Sequence, residues 1–98
     1  MRRVVIAGLM IMAACGPGLP EGATGQEVYN ASCARCHGSD LKGTSLAPGL
    51  GPGSEFVNKD DAYAAQTITR GRGSMPSFGN ALSGDQIERV LTYLREQP

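Results

Sequence analysis

The sequence has few of the side chains that build a large core. Its 98 residues include no Trp, three Tyr and two Phe, against fourteen Gly and six Pro. A chain of this length forms one small domain, which excludes a multidomain enzyme. Domains with so little apolar volume usually gain stability from a disulfide, a metal or a cofactor. The three cysteines and the one histidine are therefore the first candidates for a functional site.

The N-terminal sequence has the pattern of an export signal. Arg2 and Arg3 precede an eleven-residue run of apolar and small residues, 4–14, which ends at Cys15. Such a run is typical of a secretory signal and is too short to span a bilayer, which needs about 20 residues. We therefore predict that residues 1–14 are a signal peptide and that the mature protein is exported to an extracytoplasmic location.

The end of this signal resembles a bacterial lipobox, in which the cysteine becomes the first mature residue. The sequence there is Met12-Ala13-Ala14-Cys15, and it predicts lipidation at Cys15 and attachment to the membrane. Residues 15–23 then form the anchor and a flexible tether rich in Gly and Pro. The alternative is an ordinary secretory signal and a soluble periplasmic protein.

The mature chain carries little positive charge. Without residues 1–14 it has seven basic and nine acidic residues, including only two lysines. The Arg70-Gly71-Arg72-Gly73 stretch is too short for an RNA-binding segment. We therefore expect no nucleic-acid partner.

The sequence Cys33-Ala34-Arg35-Cys36-His37 is the C-x-x-C-H signature of c-type haem attachment. Residues three apart share a helix face, so both thiols can reach the two vinyl groups on one porphyrin edge. His37 can then bind the iron from the same side. A thioredoxin-like motif would need alternating strands and helices, and a Cys33–Cys36 disulfide would close a very short loop. A zinc site would lack a fourth ligand near the motif.

With this motif, residues 24–96 resemble a class I cytochrome c of the small bacterial mono-haem kind. The resemblance implies an all-α cytochrome c fold in a domain spanning residues 24–98. It also implies one covalent haem c, with thioether bonds to Cys33 and Cys36 and iron ligation by His37.

Met75 is the candidate for the second axial ligand. It is the only methionine outside the predicted signal peptide, and no second histidine exists. Pro76 favours an extended Met75, and hence a loop position. The Gly-rich run 71–78 is similar to the methionine loop of the family, in which the thioether binds the iron.

The resemblance also assigns roles to Pro48 and Leu50. The Pro48 carbonyl is implied to accept a hydrogen bond from the far nitrogen of His37, which fixes the imidazole. Leu50 is implied to pack on the haem face.

Three helices are expected around the haem. Capping-box patterns at Thr24–Glu27 and Ser83–Gln86 predict the first and last of them. A middle helix should run from about residue 60 to 70, capped by Asn58 or Asp60, with Ala65 and Ile68 inward and Gly71 as its stop. In the last helix Ile87, Val90, Leu91 and Leu94 form one buried face, and Asp85 is placed to pair with Arg89. By the resemblance, Gly25 and Tyr29 should cross Val90, Tyr93 and Leu94.

The chemistry favours a single-electron carrier, because the cofactor supplies the reaction and no general base or nucleophile is evident. We therefore expect a protein that is not an enzyme. Its expected partners are a donor and an acceptor protein, in membrane-bound respiratory or dehydrogenase complexes. One alternative is a haem enzyme or gas sensor with an opened sixth coordination site. Another is a fixed haem subunit of such a complex.

Overall fold

A computed structural model describes residues 19–98. The predicted signal peptide, Cys15 and the start of the tether lie outside these residues. The described chain is helical, and its only extended pairings are two isolated bridges, Gly43 with Pro48 and Arg72 with Met75. None of its helices is long and apolar enough to cross a membrane. In chain order the elements are α1 (Gly25–Ser32), α2 (Ala34–His37), a 3₁₀ helix (Glu55–Asn58), α3 (Asp61–Arg70) and α4 (Gly84–Arg95).

The predicted helix starts are confirmed by their hydrogen bonds. The Thr24 hydroxyl accepts from the Glu27 N–H at 3.1 Å, and the Glu27 carboxylate accepts from the Thr24 N–H at 2.8 Å. Ser83 and Gln86 form the same reciprocal pair at the start of α4. The cap of α3 is Asp60 rather than Asn58, and Gly71 ends that helix as predicted. These side chains satisfy N–H groups that have no partner within the helix.

The haem-attachment motif does not continue the first helix. Helix α1 ends at Ser32, and Cys33 has φ −120° and ψ −33°, outside helical geometry. The N–H groups of Cys36 and His37 then both donate to the Cys33 carbonyl, at 3.2 and 3.0 Å. Cys33 therefore separates α1 from the single turn α2, and its carbonyl accepts both of the first bonds of that turn.

Helices α1 and α4 cross with almost no space between their backbones. A Cβ atom on Gly25 would lie 2.2 Å from the Arg89 carbonyl oxygen and 2.8 Å from Cβ of Tyr93. One turn later the rings of Tyr29 and Tyr93 pack with centroids 5.9 Å apart. The predicted crossing at Gly25 and Tyr29 is therefore present.

The core is small and lies mainly between these two helices. The predicted buried face of α4 is confirmed, and Gln86 is also buried because its side-chain amide donates to the Pro20 carbonyl at 3.0 Å. In α3 the most buried residue is Ala64 rather than Ala65 or Ile68, which pack against the core but stay partly exposed. The buried apolar residues are Ala23, Val28, Tyr29, Leu41, Ala64, Leu82, Ile87, Val90, Leu91 and Leu94.

Residues 19–23, which the sequence assigned to the tether, pack against α4. Ala23 is only 5% exposed, and its carbonyl accepts from Nε of Arg89 at 3.0 Å. The Glu21 carboxylate accepts from the Ser83 hydroxyl at 2.7 Å and lies 3.9 Å from Arg89. Arg89 therefore pairs with Glu21 and not with Asp85, because its guanidinium also donates to the carbonyls of Ala23 and Glu21.

Arg95 connects the end of α4 to the middle of the chain. Its guanidinium pairs with the Asp61 carboxylate at 3.0 Å and donates to the Phe56 carbonyl at 3.2 Å. The same group lies 4.1 Å from the centroid of the Phe56 ring. One side chain thus joins α4, α3 and the 3₁₀ helix.

The crossing is tested by Gly25→Ala. The added methyl group must displace backbone of α4, so we expect a loss of about 2–3 kcal/mol in the free energy of unfolding of the holoprotein. Gly84→Ala is the control, since no atom lies within 4 Å of a Cβ built there. Denaturant unfolding measures both. Equal stability of the two variants would contradict the crossing.

Candidate haem site

His37 is held by one strong hydrogen bond. Its Nδ1 lies 2.7 Å from the carbonyl oxygen of Pro48, and because a carbonyl can only accept, Nδ1 carries the proton. Nε2 of the neutral ring therefore keeps its lone pair. This is the tautomer that can bind a metal through Nε2.

A folded-back loop brings the Pro48 carbonyl to the histidine. The N–H of Gly43 donates to the His37 carbonyl at 2.9 Å, and the Thr44 hydroxyl donates to the Cys36 carbonyl at 2.6 Å. Gly43 has φ +89°, and a Cβ atom there would lie 2.6 Å from the N–H nitrogen of Gly49. The loop can take this path only because residue 43 has no side chain.

The two cysteines of the motif are free thiols, and both are partly buried. Burial, and then the neighbouring Cys36, raise the pKa of the Cys33 thiol to about 11. Cys33 therefore stays protonated at neutral pH. Two reduced thiols one turn apart fit thioether formation with a porphyrin.

Met75 lies in a tight turn. The Arg72 N–H donates to the Met75 carbonyl at 3.1 Å, and the Met75 N–H donates to the Arg72 carbonyl at 2.9 Å. Gly71 enters the turn with φ +79°, and a Cβ atom on it would lie 2.7 Å from the Met75 carbonyl oxygen. Glycine at 71 therefore lets the chain leave α3 and turn at once.

The segment after Met75 returns along the end of α3. The N–H groups of Phe78 and Gly79 donate to the carbonyls of Ile68 and Thr69, at 2.9 and 3.1 Å. The Ser77 hydroxyl also donates to the Thr69 carbonyl, at 2.6 Å. These bonds satisfy carbonyls that a helix end leaves without partners, and they attach the methionine loop to α3.

Comparison with known proteins identifies the family. The family model described as cytochrome C oxidase, cbb3-type, subunit III matches residues 20–94. Cytochrome c6 of Leptolyngbya boryana is 35% identical over 79 residues, which cover 79% of this chain and 93% of that protein. The chain belongs to the c-type cytochromes. The cbb3-type cytochrome c oxidase subunit FixP of Azorhizobium caulinodans is 36% identical over 87 residues, but this cytochrome spans only 30% of its length.

Solved structures show the same fold. Cytochrome cL from Hyphomicrobium denitrificans matches with a TM-score of 0.62 and 31% identity, over 72% of this chain and 44% of that one. The dihydro-heme d1 dehydrogenase NirN, in complex with DHE, matches with a TM-score of 0.70 and 29% identity, over 78% of this chain and 16% of that one. The predicted class I cytochrome c fold is confirmed. The protein is a mono-haem c-type electron carrier that binds haem c covalently.

The residues of this cytochrome fit the haem. Cys33 and Cys36 offer two free thiols. His37 offers Nε2, because its Nδ1 already donates to the Pro48 carbonyl. Leu50 is partly buried against the core, and its N–H is fixed to the Leu41 carbonyl at 3.0 Å. The apolar side chains that stay partly exposed beside the core are Leu19, Ala34, Leu50, Phe56, Ala65, Ile68, Phe78 and Tyr93.

One contact that supports the site could not be predicted from the sequence. The hydroxyl of Tyr29, which is fully buried, donates to the Gly38 carbonyl at 2.6 Å and so ties α1 to the end of the haem motif. Burial, followed by the nearby Cys33, Tyr93 and Asp40, raises the pKa of Tyr29 from 10.0 to about 12. A buried tyrosine nine residues before a glycine carries no local pattern that would reveal this bond.

Tyr29→Phe tests this contact and its pH dependence. Below pH 10 we expect the variant to be about 1–3 kcal/mol less stable, because a buried carbonyl loses its donor. The folded-state pKa is raised, so only the unfolded chain loses the tyrosine proton as the pH rises above 10. The difference in the free energy of unfolding between the parent and Tyr29→Phe should therefore shrink between pH 10 and about 12. Denaturant unfolding at a series of pH values measures it.

Tyr93→Phe is the matched control. The Tyr93 ring packs on Tyr29, but its hydroxyl makes no hydrogen bond within residues 19–98. Below pH 10, Tyr93→Phe should change the free energy of unfolding very little. A Tyr29→Phe variant as stable as this control would show that the bond to Gly38 contributes nothing.

Proposed function

We propose that Cys33 and Cys36 carry the two thioether bonds of the haem, and that His37 and Met75 are the axial ligands of its iron. The observation that carries this assignment is the 2.7 Å bond from Nδ1 of His37 to Pro48. This bond leaves Nε2 as the ligating atom and limits rotation of the ring. Ligation by Met75 is supported by its position in a turn that contains Gly71 and Gly73 and is hydrogen-bonded to α3.

The bound haem would supply a one-electron redox couple, and the chain would hold the residues around the haem in fixed positions. Hydrogen bonds hold His37 from the Pro48 side, and the carbonyl of Cys36 is held by Thr44. The methionine loop is held by its bonds to Ile68 and Thr69. Because the ligands are held in place, the site needs little rearrangement when the iron gains or loses an electron.

Two protein ligands also favour an electron carrier over an enzyme or a gas sensor. A saturated iron has no position for peroxide or a diatomic ligand. The chain has one histidine, which is used in the motif, so no second histidine is available to assist peroxide cleavage. The enzyme alternative would need Met75 to leave the iron.

Met75→Ala tests the assignment. In the parent holoprotein we expect the ferrous haem to resist carbon monoxide, because the thioether occupies the sixth position. The variant should bind carbon monoxide readily and lose the ferric iron–sulfur charge-transfer absorption. Visible spectra of both redox states measure this. Ready uptake of carbon monoxide by the parent would contradict ligation by Met75 and favour the sensor or enzyme.

We further propose that the protein exchanges electrons with membrane-bound respiratory or dehydrogenase complexes. FixP, which is similar over its matched part, is named as a subunit of a cbb3-type oxidase. The mature chain is mildly acidic and has only Lys42 and Lys59, so docking through a ring of lysines is not supported. Leu46 and Val57 are large apolar side chains that stay exposed, and they favour a largely apolar contact.

Finally, we propose that Cys15 is lipidated and holds the protein at a membrane surface. Residues from Leu19 onward pack on the domain, so only residues 16–18 would separate the anchor from it. Four peptide links extend to at most about 14 Å, so the domain would stay next to the lipid.

Mass spectrometry of the mature protein tests the anchor. We expect an N-terminal Cys15 carrying acyl chains, and loss of membrane attachment in Cys15→Ser. An unmodified N-terminus downstream of Cys15 would contradict the anchor and support a soluble periplasmic protein.

A further inference from the structure

Arg72 contacts two different parts of the molecule. Its backbone N–H and carbonyl pair with Met75 in the tight turn, at 3.1 and 2.9 Å. Its side chain points the other way along α3, where Nη1 donates to the hydroxyl of Tyr63. The guanidinium carbon lies 6.0 Å from the centroid of the same ring. One residue therefore links the turn that carries Met75 to the first turn of α3.

The backbone of Tyr63 is held in the first turn of α3, and its side chain accepts from Arg72. Its N–H donates to the Asp60 carboxylate at 2.8 Å, and its carbonyl accepts from the Thr67 hydroxyl at 2.9 Å. The Lys59 ammonium lies 5.3 Å from the centroid of the ring. Tyr63 is 38% exposed and is therefore not part of the buried core.

Within residues 72–75 the turn has few other side-chain restraints. A Cβ atom on Gly73 would meet no atom within 4 Å, and within residues 19–98 Ser74 makes no side-chain hydrogen bond. The other attachments are backbone bonds at Gly71, Phe78 and Gly79, and beyond Met75 the bond from the Ser77 hydroxyl to the Thr69 carbonyl. Arg72 is thus the side chain that joins the first residue of the turn to the start of α3.

We propose that the Arg72–Tyr63 contact is a positioning contact that keeps Met75 on the iron and so limits displacement of the thioether by external ligands. This proposal rests on the proposed ligation by Met75. Arg72 would act through the backbone it shares with the turn, without touching the iron. If the contact is lost, the turn opens more often, and a competing ligand binds the iron more tightly.

Tyr63→Phe tests the contact with the smallest change, since it removes only the accepting hydroxyl and leaves the net charge unchanged. The measurement is the affinity of the ferric holoprotein for imidazole, followed through the loss of the iron–sulfur charge-transfer absorption. We expect imidazole to bind about three- to tenfold more tightly than to the parent. Arg72→Gln should give a similar increase, and Arg72→Lys, which keeps a donor, should recover part of the parent behaviour.

Arg70→Gln is the matched control. It removes the same charge two residues away, and within residues 19–98 the Arg70 side chain has no hydrogen bond. Its imidazole affinity should equal that of the parent. If Arg70→Gln matches Arg72→Gln, or if Tyr63→Phe leaves the affinity unchanged, the positioning role is wrong. A parent protein without an iron–sulfur absorption would instead contradict the proposed ligation by Met75.

Discussion

The hydrogen bond from His37 to the Pro48 carbonyl is the contact on which the site depends. It decides which ring nitrogen keeps its lone pair, and it requires the loop between these residues to fold back on the haem motif. Gly43 makes that fold possible through its positive φ and the absence of a Cβ atom. A glycine in a loop thus determines the chemistry of a histidine six residues earlier, through backbone geometry alone.

The second constraint is the close approach of α1 and α4. Gly25 lets the α4 backbone come within contact distance, and the rings of Tyr29 and Tyr93 pack together one turn later. Tyr29 then fixes the carbonyl that follows His37. The Tyr29 hydrogen bond therefore connects the helix crossing to the C-x-x-C-H motif.

The parts of the fold that local patterns encode could be predicted from the sequence. The C-x-x-C-H motif, the capping boxes and the apolar face of α4 each lie within a few residues, and each is found where expected. The contacts that the sequence did not reveal join distant residues. The pairs of Arg89 with Glu21 and of Arg95 with Asp61 depend on how distant segments pack on α4, so the local Asp85–Arg89 spacing was misleading. The 3₁₀ helix is too short to produce a recognisable period.

The most direct test of this account is nitrogen-15 NMR of the reduced holoprotein, in which ring signals belong to His37 because the chain has one histidine. The account predicts a proton on Nδ1 that is protected from exchange by Pro48, and an Nε2 that carries no proton because it binds the iron. A proton on Nε2, with Nδ1 unprotonated, would contradict the tautomer on which the proposed ligation rests.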